Sequence, residues 1–182
     1  MSADPNAAFL DHAIKEFRQL KTLADRALAQ VDDQRFIASP DPESNSLAVL
    51  CRHVGGNLRS RWRDFLTTDG EKPDRHRDTE FELPAGAARA ELLEAWERGW
   101  NVLFDELGKL APGDLARTVT IRSEPHTVLA AIHRSLIHTA MHTGQIVYLA
   151  KHLAGADWRT LSEPRGRSEE FRQQMEKRFG KS

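Results

Sequence analysis

The seam that most constrains this chain lies between residues 87 and 110, where Leu93, Trp96, Trp100, Leu103, Leu107 and Leu110 step 3-4-3-4-3. A helix with that spacing buries the stripe against near-antiparallel neighbours. Three further segments repeat their apolar residues at helical spacing. Leu10, Ile14, Phe17, Leu20, Ala24 and Leu28 mark a helix over about 7–31. Leu47, Leu50, Val54, Leu58, Trp62 and Phe65 mark a second over 47–66, and the fourth covers 125–153. A short polar helix over 168–179 closes the chain. Together they predict an all-α four-helix bundle with a short C-terminal helix. At 182 residues and 40% hydrophobic, the whole of 1–182 reads as one domain with a real core.

The breaks between stripes set the topology. Ser39-Pro40-Asp41-Pro42 is a turn-forming stretch, and Asn45 or Ser46 can cap the second helix. The polar link over 67–86 is long enough to run the length of a bundle, since extended chain covers ~3.3 Å per residue and a 20-residue helix spans ~30 Å. Helices two and three can then be parallel, giving up-down-down-up with one long crossover. Ala111-Pro112-Gly113 stops the third helix. Thr118-Val119-Thr120-Ile121 is β-prone but too short to found a sheet, and Glu124-Pro125 opens the fourth helix.

Charge and composition exclude several functions. Twenty-six basic residues face 27 acidic ones, for a net charge of −1. That balance argues against a nucleic-acid partner, which needs a basic surface. No apolar run reaches the ~18 residues of a membrane-spanning helix. Met1 to Asn6 show neither the basic nor the apolar region of a secretory leader, so the cytoplasm is the expected compartment. Cys51 is the single cysteine, which excludes an internal disulfide and a multi-cysteine zinc site.

Chemistry, where present, resides in the eight histidines. His138 and His142 are four apart on the fourth helix, so their rings lie on one face a turn apart and can chelate one metal ion. Chance alone supplies about 0.3 such pairs, so the setting matters. The same face carries Ala131 and Leu149, and the opposite face Leu129, Leu136, Ala140 and Val147. Two imidazoles pointing into a bundle would repel if charged, and a shared ion removes that repulsion by taking a lone pair from each. Two ordinary core histidines bonded to backbone carbonyls remain the alternative. His133 points away and His152 sits near the helix end, so neither joins the pair. His53 is the candidate third ligand, yet it lies about 120° from the centre of its own helix's apolar stripe, which by pattern alone faces it to water. Gly55-Gly56 follow it and would admit a close neighbour or ligand.

Two stretches carry a family resemblance. The first is Cys51-Arg52-His53-Val54-Gly55-Gly56-Asn57-Leu58-Arg59-Ser60-Arg61-Trp62 with the following Asp69-Gly70-Glu71-Lys72-Pro73. The second is His138-Thr139-Ala140-Met141-His142-Thr143-Gly144-Gln145-Ile146. Over about 7–153 the chain resembles the DinB-like superfamily of metal-binding four-helix bundles, in particular a bacterial subfamily of unknown function. That resemblance implies the up-down-down-up bundle, a homodimer, and a divalent ion, zinc or nickel, held by three histidines that map here to His53, His138 and His142. Superfamily members of known activity are transferases or isomerases that use a low-molecular-weight thiol.

Three nitrogen ligands leave a coordination position open, as in catalytic zinc sites. An open position activates a thiol or a water near neutral pH, for transfer to an electrophilic carbon or for hydrolysis. Asn57 and Arg61, one and two turns after His53, and Gln145, three after His142, are the candidates for handling a small-molecule substrate. For each, a helix-surface role is the alternative. Arg52, Arg59 and Arg63 read as solvent-facing, and Trp62, Trp96 and Trp100 as core. The functional readings are therefore a metal-dependent thiol S-transferase, a metal-dependent hydrolase, a non-catalytic or stress-related metal-binding module, or a plain helical dimer.

Overall fold

The computed structural model describes residues 4–180. The first three residues of the segment read for a leader, and both ends of the 1–182 domain, lie outside the described residues. The chain is mostly helical, in the order α1 (Pro5–Leu28), α2 (Asp33–Ile37), α3 (Leu47–Trp62), α4 (Arg89–Leu107), β1 (Thr118–Ile121), β2 (Glu124–Thr127), α5 (Val128–Ala154) and α6 (Ser168–Phe179). Helix α3 packs chiefly on α4, and α1 on α5, while α3–α5 and α1–α4 contacts complete the ring.

The four stripes meet in one core. Phe17 of α1 stands edge-on to Trp62 of α3 and Trp100 of α4, with ring centroids 6.1 and 6.4 Å away. Such pairs add ~0.5–1.5 kcal/mol to the burial of their area. Trp62, Trp96 and Trp100 are all fully buried, as their spacing predicts. Helices α3 and α4 approach so closely that a Cβ built on Gly99 would lie 2.4 Å from the Gly55 carbonyl oxygen. Glycine at both positions is what permits this crossing.

Caps explain the helix starts. Ser46 accepts a bond from the Val49 amide at 3.2 Å, choosing between the two expected capping residues. Arg89 at the start of α4 donates to the Leu28 and Val31 carbonyls, which ties that end to the C-terminal end of α1. Further along, Lys21 meets Glu97 and Trp96 donates to Asp25.

Two expectations are corrected. Thr118–Ile121 does form a sheet, a two-stranded antiparallel hairpin with Glu124–Thr127. Its turn places Arg122 and Ser123 at φ of +56° and +65°, a left-handed pair that suits a tight hairpin. Asp69 stabilises that turn from outside, accepting bonds from the Arg122 and Ser123 amides, and the Gly70 amide donates to the Thr120 carbonyl. Consequently α5 begins at Val128, not at Pro125, with Thr127 as its cap accepting from the Ala130 amide. Pro125 instead occupies a strand of this small hairpin. The second apolar face of α5 is also less buried than its composition suggests, for Leu129 and Ala140 are exposed.

The crossover is structured. After α3 it doubles back along the helix, and a turn of 3₁₀ helix, Asp78–Phe81, lies against α3. It occupies the three arginines read as solvent-facing: Arg52 donates to the Thr79 carbonyl, and Arg59 and Arg63 both pair with Asp74.

Candidate metal centre

The histidine pair of α5 behaves as helical geometry requires. The two Nε2 atoms of His138 and His142 face each other at 3.2 Å. Burial, followed by the nearness of His142, His53, Arg75 and Arg61, lowers the His138 pKa to about 3. Burial also lowers that of His142, more strongly than its bond to Gln145 raises it. Both rings are therefore neutral at pH 7, each with a lone pair to offer.

His53 corrects the reading of its own helix. It is 5% exposed and points at the pair, with ring centroids 5.4 Å from His138 and 4.9 Å from His142. The α3 pattern misplaces it because water on that flank is replaced by the crossover. Phe81 packs its ring 4.9 Å from the imidazole, and Glu80 takes its Nδ1 at 2.9 Å. Gly56 leaves room for the Glu80 carboxylate, which a Cβ would strike at 2.4 Å.

One nitrogen from each of the three rings can be chosen so that all lie within 4.8 Å of one another. The donor chemistry fits a metal ion that takes neutral imidazole as ligand. The outer atoms fit as well. Glu80 engages His53 Nδ1, leaving Nε2 for the centre, and Gln145 Oε1 lies 2.7 Å from His142 Nδ1, leaving its Nε2 likewise. Such outer partners fix ring orientation and raise ligand basicity. Glu80 is itself gripped by Arg75 through Nε and Nη2 at 2.8 and 2.9 Å. Burial alone would push its carboxyl up, but Arg75 and His53 outweigh that and hold it below the usual range.

A cavity of about 220 Å³ adjoins the centre and is reached by His53 and His138. Asn57, 8% exposed, and Arg61 line it too. Arg61 is already engaged, donating to the Gly70 carbonyl at 2.6 Å and to Glu71 at 2.9 Å. Gln145 stands on the solvent side of His142 and orients it. The structure thus brings together five of the six site residues expected from sequence around one cavity or centre, and gives Gln145 a positioning contact. Sequence reasoning missed Glu80, Arg75 and Phe81, which all belong to the polar link. Nothing in the periodicity of 67–86 marks them.

The Asp69-Gly70-Glu71-Lys72-Pro73 stretch braces the site. Glu71 pairs with Arg61 and Arg122, joining α3 to the hairpin. The Lys72 ammonium donates to the Asp69 carbonyl, and Ser60 of α3 donates to the Gly70 carbonyl.

The sequence matches the model of one protein family over residues 4–167, described as a protein of unknown function (DUF1572). The chain belongs to that family. No curated protein matches it.

Proposed function

We propose that this DUF1572 protein holds one divalent metal ion, zinc or nickel, on His53, His138 and His142, and that it is a metal-dependent thiol S-transferase. The observation that carries the reading is the convergence of three imidazole nitrogens from α3 and α5 within 4.8 Å, beside a cavity. An ion held by these three histidines would supply an open position that lowers the pKa of a thiol toward neutral pH. In the transfer, the thiol sulfur bonds to an electrophilic carbon and the leaving group departs with the electron pair. The chain itself offers no such sulfur: Cys51 is fully buried, and burial pushes its thiol far up. A separate low-molecular-weight thiol therefore supplies the nucleophile. Glu80 and Gln145 orient two of the rings, while Asn57 is placed to hydrogen-bond a substrate in the cavity.

Several contacts support the up-down-down-up bundle of the DinB-like resemblance. Asn6 at the start of α1 reaches Pro112 ahead of α5, and Gln30 beyond α1 reaches Arg159 beyond α5, so these helices run together. Arg89 at the start of α4 meets the end of α1, so those two oppose. A homodimer belongs to the same reading. Helix α5 turns Ile137, Met141 and Tyr148 outward, with the small Ala140 and Gly144 between them. Light scattering at micromolar concentration is expected to give twice the chain mass, and a monomer would remove the dimer.

The primary test is elemental analysis of untagged protein, with one ion per chain expected and none in His138→Ala. Thiol consumption with an electrophile should then vanish in His142→Ala while circular dichroism shows an intact fold. A loaded protein without turnover on thiol and electrophile, or on esters and amides, would leave a metal-binding module. Ester or amide turnover without thiol would make it a hydrolase.

A further inference from the structure

The cavity beside the histidines has an unusual chemistry. Five arginines line it, Arg61, Arg75, Arg77, Arg122 and Arg134, and no aspartate or glutamate does. Two carboxylates stand behind them. Glu80 takes Arg75, and Glu71 takes Arg61 and Arg122. Arg77 lies over the Phe81 ring, and its nearest carboxylate, Asp78, is fully exposed at 3.9 Å. Arg134 of α5 has no ion-pair partner among the described residues. The cavity therefore keeps more guanidinium than carboxylate charge.

Arg75 shows where that charge is unspent. Its side chain is 4% exposed, and two of its nitrogens hold Glu80. The third, Nη1, is buried without a hydrogen-bond partner. Its nearest carboxylate oxygen is that of Glu71 at 3.6 Å, beyond bonding distance. Glu71 also holds Arg61 and Arg122, and Arg75 lines the cavity together with those two arginines. A buried guanidinium N–H left unpaired is destabilising, and an arriving oxyanion would satisfy it. Trp62 and Phe65 add an apolar wall. The volume falls below the ~300–1,000 Å³ of sites for drug-sized ligands, so the occupant is small.

We propose that this arginine-lined cavity is the anchor for a small substrate bearing an oxyanion, a carboxylate or a phosphate monoester, and so fixes the substrate class of the neighbouring centre. The assignment to a substrate rests on the metal-dependent reading above. The charged end meets Arg75 and the outer arginines, an attached apolar group lies along Trp62 and Phe65, and the reacting end faces His53 and His138. Arg75 would then serve both halves of the site, since its other edge holds the carboxylate that orients His53.

Calorimetric titration of the metal-supplemented protein with phenyl phosphate and with benzoate tests this, with benzyl alcohol as the uncharged control and metal content measured on every sample. Saturable binding of at least one acid at millimolar concentration or tighter is expected, none of the alcohol, and the stronger acid identifies the headgroup. Arg77→Gln with Arg134→Gln should weaken that binding at least tenfold at unchanged metal content. Both side chains are largely outside the core, so the fold is kept. Absence of acid binding to metal-loaded protein, equal binding of the alcohol, or indifference to the double substitution would overturn the anchor while leaving the metal centre standing. Arginine-dependent acid binding by a chain that takes no metal would instead overturn the metal-dependent reading, and with it the assignment of the anchor to a substrate.

Discussion

The two halves of the histidine centre are built on different principles. On the α5 side, helical spacing alone puts His138 and His142 one turn apart, and Gln145 secures the outer ring from the solvent edge. On the α3 side, His53 is alone and is placed by its cover: Glu80 on one ring nitrogen, Phe81 on the ring, Arg75 behind Glu80. The first half is a local property of one helix. The second exists only once a distant stretch of chain has folded over it.

That contrast can be broken by substitution, and the largest effect comes from removing a ligand. His53→Ala and His138→Ala should each lower metal affinity by more than the ~10–100-fold that loss of an outer partner costs, measured by competition with a chelating dye. Equal affinity in His53→Ala would show that the α5 pair binds metal without α3. Next comes Glu80→Gln, expected to weaken metal by ~10–100-fold, because it removes charge from a buried partner and loosens Arg75. Gln145→Ala should fall near or below the tenfold end of that range, since its contact is exposed and neutral. A reversal of that order would place the stronger support on α5.

Acid should act mainly through the α5 half, and its sign follows from burial. The His138 pKa is near 3 in the folded protein against 6.5 for a free imidazole, so the unfolded chain binds the extra proton first. Stability is fully present above about pH 6.5 and is lost progressively as pH falls toward 3. Thermal melts of metal-free protein should therefore drop over that window, and less steeply in His138→Gln. With metal bound, the loss should be offset until acid releases the ion. A melt independent of pH across the window would mean that His138 is solvated.

The same division explains what was readable in the sequence. The stripes of Phe17, Trp62, Trp96 and Trp100 follow a 3.6-residue period and are found in the core. The His138–His142 pair is equally periodic. His53 is not: its helix pattern faces it outward, and only the family resemblance selected it. The reason is that periodicity reports the strongest apolar contact of a helix, here α3 on α4, and is blind to a polar segment laid over the other flank. Glu80 and Arg75 come from that segment. The hairpin was hidden for a related reason. Four residues of strand cannot found a sheet alone, and its turn, Arg122-Ser123, lacks the usual glycine and is stabilised by Asp69, more than 50 residues away in sequence.

The near-contact of Gly55 and Gly99 ties these regions together. Because Gly55 is two residues from His53, the spacing of two backbones becomes a calibration for the centre. Any side chain at position 99 acts as a shim that pries α3 from its neighbour, carrying one ligand with it while the α5 pair stays put. A position that never touches the ion thereby acquires a veto over its coordination.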